Sequence, residues 1–243
     1  MGDRYIEPET SDLIDARAEE VLAGSEVLPV NYSPVLGDNR LIFAADHHLN
    51  WNIREHILKY ARSLKDAGIT HFAIEIENTK QKLLDDLSEG RDVDISGSGL
   101  DPKYVEALRE VAKHGIKLVA IDVPHTFETI LSENRENGLF DNTKSILSSN
   151  TSNKVFVLIG TFHVVTEFNP SGIRSMRGRF VDSGVSVPSV FFYEGVGGSA
   201  KLDRMVKEQD LADKDFMLDH RSEQDRIAIP FDNDADWIIH LPT

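Results

Sequence analysis

Leu41-Ile-Phe-Ala-Ala-Asp-His-His-Leu-Asn50 is the stretch whose reading decides the fold. An apolar run of strand length ends in one acid and two adjacent imidazoles. Helical spacing follows at once, with Ile53, Ile57, Leu58, Ala61 and Leu64 on one face from Trp51 to a stop at Gly68. In an open α/β sheet, ligands sit outside the carboxyl ends of the strands, so polar residues there are placed for chemistry. Three later apolar runs end in the same way. Phe72–Ile76 carries Glu75 and Glu77, Leu118–Val123 carries Asp122, and Val155–Ile159 precedes Gly160 and His163. Four such ends in succession predict a site.

Outward from this stretch, strands are expected at 40–45, 70–76, 117–123, 154–159, 189–193 and 237–241. Helices are expected at 11–22, 51–67, 79–87 and 102–113, the last capped by Asp101 with Pro102 in its first turn. Residues 126–149 read as mainly helical with an interruption near Gly138, 173–180 as an irregular basic stretch, and 200–221 as a charged, partly helical insert. Strands alternating with helices imply βαβ units. The fold class is therefore α/β, a mostly parallel central sheet flanked by helices on both faces. No linker divides the 243 residues, so one domain is expected, with 1–39 as a lead-in and 40–243 as the core.

A net charge of −15 argues against generic binding to nucleic acid or an anionic membrane, since both need basic surface. With no cysteine, thiol catalysis, cysteine zinc sites and disulfides drop out together. The first eleven residues lack an apolar signal core, and no run reaches membrane-spanning length. These features suit a soluble, cytoplasmic protein acting on a small-molecule or peptide substrate, and they set no oligomeric state.

His48 and His163 lead the candidates, because neutral imidazole is both the commonest nitrogen ligand and the usual base near neutral pH. With Asp46, Glu75 and Asp122 they supply two nitrogens and three carboxylates, a set that suits zinc, manganese or iron with open positions for water. Without a metal, the same His and Glu could act on water directly. Each residue alone has a plainer reading, since an acid at a strand end also serves as a helix cap or as partner to a nearby Arg or Lys. His47 is expected to point away from His48, and His56 to be a surface residue of its helix. Arg174, Arg177 and Arg179 either bind a substrate carboxylate or phosphate or form a solvated basic face. Gly160-Thr-Phe-His163 reads either as a turn admitting a ligand or simply as the turn out of a strand.

These motifs resemble those of the superfamily that joins erythromycin-esterase-like hydrolases, the Tiki and TraB proteases and the ChaN haem-binding proteins. Its first strand commonly ends Gly-Glu-x-His, matched here by Ala45-Asp46-His47-His48. Glu75 in Phe-Ala-Ile-Glu matches its second strand, and Gly160–His163 matches its Gly-x-x-His. The segment 135–147, beginning with Arg135, resembles its Arg-containing helix, and 235–242 its final strand. Asp46 departs from the pattern by one methylene. The resemblance implies an EreA/ChaN-like fold and one of three activities: a histidine-based esterase, a metal-dependent peptidase or a haem carrier.

On these grounds the expected function is hydrolysis of a peptide, amide or ester bond. Glu75, His48, His163 and Asp122 are the expected catalytic residues, and Arg135 and Arg177 the substrate-binding ones. The expected ligands of a divalent metal (Mn, Zn or Fe) are His48, His163, Asp46 and Glu75. The alternative is a haem- or metal-binding protein of the ChaN type without catalysis, with Tyr193 or an exposed histidine as axial ligand.

Overall fold

A computed structural model describes residues 27–46, 51–126, 129–130, 132–165, 172–193, 206, 211, 214–219, 221 and 235–242. The expected helix at 11–22, His47 and His48 lie outside them. The side chains of Trp51 and Tyr193 are likewise outside the description. Two compact units divide the chain, residues 31–190 and residues 1–30 with 191–243.

The first unit contains β1 (Leu41–Asp46), β2 (His71–Glu77), β3 (Lys117–Asp122) and β4 (Val155–Gly160). They run parallel in the order β3-β2-β4-β1, and β5 (Ser189–Tyr193) begins beside β1, where Phe43 N–H donates to the Pro188 carbonyl at 3.0 Å. Every residue of β1 and β4 is buried. That is why these two strands are continuous apolar runs, as strands covered on both faces must be. Helices α1 (Tyr32–Leu36), α2 (Trp51–Asp66), α3 (Gln81–Ser88) and α4 (Pro102–Lys113) pack as one group. Helices α5 (Glu133–Ser149), α6 (Thr161–Val164) and α7 (Met176–Asp182) form the other.

Local chemistry accounts for the helix starts. The Asp101 carboxylate accepts from Tyr104 N–H at the head of α4, Ser132 Oγ from Arg135 N–H at the head of α5, and Ser175 Oγ from Gly178 N–H at the head of α7. The second unit contains an antiparallel pair, β6 (Phe216–Asp219) and β7 (Trp237–His240), with Leu28 bridged to Met217. The fold class is thus α/β with a mostly parallel sheet, as expected.

Three expectations are corrected. Helix α5 runs unbroken through Gly138, where the glycine marks a close approach to Val123 and not a break. A Cβ at that position would lie 2.4 Å from Cγ1 of Val123. The basic stretch 173–180 is not irregular, since Ser175 starts α7 within it. His56 is no surface residue. It is 2% exposed, and its Nε2 shares a 2.9 Å hydrogen bond with the Tyr32 hydroxyl.

Candidate active site

Parallel pairing brings the carboxyl ends of β1, β2, β3 and β4 to one edge. Asp46 is level with Gly160, and Glu77 with Asp122. Between Ile74 and Glu77 the β2–β3 register slips, so that Glu75 and Ile76 together stand opposite Ile121. Such a bulge re-aims a side chain. Here it accompanies a Glu75 carboxylate that reaches back to β4, where its Oε2 accepts from Gly160 N–H at 2.7 Å.

Arg135, from the first turn of α5, enters this edge. Its Nε donates to Asp122 Oδ1 at 3.0 Å and its Nη2 to Asp122 Oδ2 at 2.7 Å. Nη2 also donates to Glu75 Oε1. Nη1 donates to the Ile130 carbonyl at 2.9 Å and lies 3.3 Å from Nε2 of His163. Four of the five donors of the fork are thus committed to protein acceptors, and the fifth, on Nη1, faces the His163 ring. Burial disfavours the guanidinium charge, but the bond to Asp122 and the charge of Glu75 outweigh it and raise the pKa.

His163 is the third residue of the short α6, which starts where β4 ends. Its side chain is 5% exposed. Nδ1 lies 2.7 Å from Glu136 Oε1 and Nε2 lies 3.3 Å from Glu75 Oε1. Burial works against the charged ring, yet bonds to Glu136 and Glu75 prevail and lift its pKa to about 9. At neutral pH the ring is an imidazolium, a proton donor and not a base.

Glu75, Asp122, Arg135 and His163 therefore form one connected network. Asp46 sits in a second cluster, with Arg54 Nη1 3.6 Å from its Oδ1, Arg54 Nε donating to Asp101 at 3.0 Å, and the guanidinium 4.9 Å from the Tyr104 ring centre. Burial, and then the Asp46 charge, push the Tyr104 phenol well above its ordinary pKa, which keeps it protonated. Arg177 is elsewhere. It is buried on α7, where its Nε donates to the Val187 carbonyl at 3.1 Å and its Nη1 to the Val164 carbonyl at 3.4 Å. Arg174 pairs with Asp182, and Arg179 donates to Asn137.

Three participants were not legible in the sequence. Arg54 and Glu136 lie on helices, where nothing in their spacing sets them apart from surface charges. The acid–imidazole contact of His125 (Nδ1 to Asp122 Oδ2, 3.3 Å) follows a strand closed by Pro124 and carries no motif. The one available signal was the dipeptide Arg135-Glu136 at a capped helix start, two opposite charges directed at one buried edge.

The described donors do not fit a metal ion. Both oxygens of Glu75 accept from Arg135 and Gly160, and both nitrogens of His163 face carboxylates. The cation at the centre of the network is a guanidinium. Among the described residues, no three His, Asp or Glu side chains form a group that could hold a metal. His48, the remaining expected ligand, lies outside them, as does the Tyr193 side chain on which a haem site would draw.

No protein-family model and no curated protein matches the sequence. Solved structures do. A succinoglycan biosynthesis protein matches with a TM-score of 0.69 at 10% identity, over 98% of this chain and 98% of its own. A Bacillus cereus protein matches with a TM-score of 0.56 at 11% identity, over 94% and 97%. The type III effector HopBA1 matches with a TM-score of 0.52 at 18% identity, over 89% and 97%. At these identities what the present chain shares with them is the α/β fold.

Proposed function

We propose that this protein is a hydrolase of peptide, amide or ester bonds that works without a metal ion. The observation that carries this reading is the 3.3 Å approach of Glu75 Oε1 to Nε2 of a charged His163, at the carboxyl ends of the strands. A carboxylate and an imidazolium side by side are a base and an acid for one reaction.

In this mechanism Glu75 takes a proton from water on a lone pair that its bonds to Arg135 and Gly160 leave open, and the water oxygen attacks the carbonyl carbon. His163 Nε2–H donates to the developing oxyanion, a stabilisation that grows as the charge does. As the tetrahedral adduct collapses, the C–N or C–O bond breaks and the leaving group takes the Nε2 proton. Glu75 then returns its proton to His163, and the site is restored with one water consumed. Arg135 positions Glu75 and Asp122, and Asp122 in turn fixes Arg135. With four of its donors held by Asp122, Glu75 and the Ile130 carbonyl, Arg135 is a positioning residue here and not a substrate anchor. His48 is retained as a further catalytic candidate from its place two residues after Asp46.

The test is a screen of peptide, amide and ester substrates with chelator-treated protein, repeated after adding manganese, zinc or iron. Hydrolysis of at least one class in chelator is expected. Turnover that appears only with added metal, or none with any class, would contradict the reading.

A further inference from the structure

We propose that Glu136 is the positioning residue of the catalytic imidazole, holding a proton on His163 Nδ1 and turning Nε2 toward Glu75 and the substrate. The inference rests on the hydrolase reading above and adds a residue to it.

Four features single out this carboxylate. Its Oε1 is 2.7 Å from Nδ1, the shortest contact the ring makes. It is 1% exposed, although it lies in the first turn of a helix, where acids are ordinarily solvated and serve the helix dipole. Glu133 in the same turn shows that ordinary case, with a side chain 73% exposed. Its second oxygen, Oε2, is buried with no hydrogen-bond partner among the described residues. Among the described residues, the Glu136 side chain thus bonds to the ring alone. A buried carboxylate with one partner is costly unless that partner is charged. The imidazolium meets that requirement.

The two nitrogens thereby divide the work. An acid on one nitrogen fixes tautomer and ring orientation, which leaves the other nitrogen for the reacting atoms. The groups facing the ring are Glu136 and Arg135 from α5 and Glu75 from β2. Replacing Glu136 by neutral Gln keeps the shape and removes one of the two negative charges. Burial and the adjacent guanidinium then act against the ring's charge.

The experiment compares wild type with Glu136→Gln by 15N NMR of histidine-labelled protein at neutral pH, with His163→Gln used to assign the signal. Wild type should show both His163 nitrogens protonated, and Glu136→Gln only one. On the best substrate, kcat should fall by about tenfold or more with KM little changed, since Glu136 reaches the substrate only through His163. A doubly protonated ring with unchanged kcat in Glu136→Gln would overturn the inference. If Glu136→Gln does not fold, Glu136→Asp keeps the charge and shortens the reach. A partly deprotonated ring is then expected, and a ring and kcat identical to wild type would overturn it. If wild type hydrolyses nothing, the hydrolase reading fails, while the ring spectrum still decides whether Glu136 holds the proton.

Discussion

Arg135 grips Asp122 side-on, Nε to Oδ1 at 3.0 Å and Nη2 to Oδ2 at 2.7 Å, so that the first turn of α5 is locked to the end of β3. A planar fork meeting a carboxylate in this way gives direction as well as energy. Both side chains are almost wholly buried, at 5% and 2% exposure. The pair is therefore strongly coupled to its surroundings, and losing one member strands the other.

Arg135→Met should cost about 3–5 kcal/mol of folding stability, because Asp122 and Glu75 would keep their burial without their cation. Arg135→Lys keeps the charge but not the fork, and should fall between. Denaturant unfolding of the three proteins measures this. Wild-type stability in Arg135→Met would show that the network is not what secures α5.

The charge on His163 ties stability to pH. Its pKa is about 9 in the fold against an ordinary 6.5, so the folded state holds the proton more tightly. The stabilisation is fully present below about pH 6.5, declines above it and is lost as pH rises through about 9. Unfolding midpoints at about pH 6 and about pH 10 should show the loss in wild type and a smaller one in His163→Gln. Equal losses would place the alkaline instability elsewhere.

Gly138 gives a test of sign. In an exposed helix interior, Gly to Ala gains about 1 kcal/mol. Here the new methyl meets Val123 Cγ1 at 2.4 Å, and a β-branched side chain has little freedom to move aside. Gly138→Ala should therefore lose about 1–3 kcal/mol. Gly138→Ala with Val123→Ala should recover most of it, and a stabilised single variant would refute the contact.

Arg177 separates scaffold from site. Bonded to the carbonyls of Val187 and Val164, it ties α7 to the segments after β4 and before β5. Arg177→Met should lower stability by about 1–3 kcal/mol and leave KM near the wild-type value. A large rise in KM with stability unchanged would make it a substrate anchor after all.

Strand ends were legible in the sequence because a run such as Val155–Ile159 has no polar residue until the chain leaves the sheet, so its end is marked. Asp101-Pro102 likewise fixed the start of α4 with its cap. Which side chains converge is a tertiary matter. Glu75 could be chosen from its strand, but the bulge that accompanies its turn toward Gly160 leaves no trace in an apolar–polar pattern. Glu136 and Arg54 look like surface helix charges until the sheet edge that buries them is in place. Strand β6 was missed because four residues, Phe216–Asp219, are too few to show a period within a charged segment. The basic stretch around Arg177 misled for a related reason, since Ser175 as a cap is a weaker signal than three arginines in six residues.

The most direct test of the central claim is kcat/KM for Glu75→Gln and His163→Gln against wild type, on the best hydrolysed substrate in chelator, with circular dichroism confirming the fold. The account predicts losses of about 10²–10⁴-fold in each variant with the fold retained. Folded variants that hydrolyse within about twofold of wild type would show that the Glu75–His163 pair is not the catalytic one.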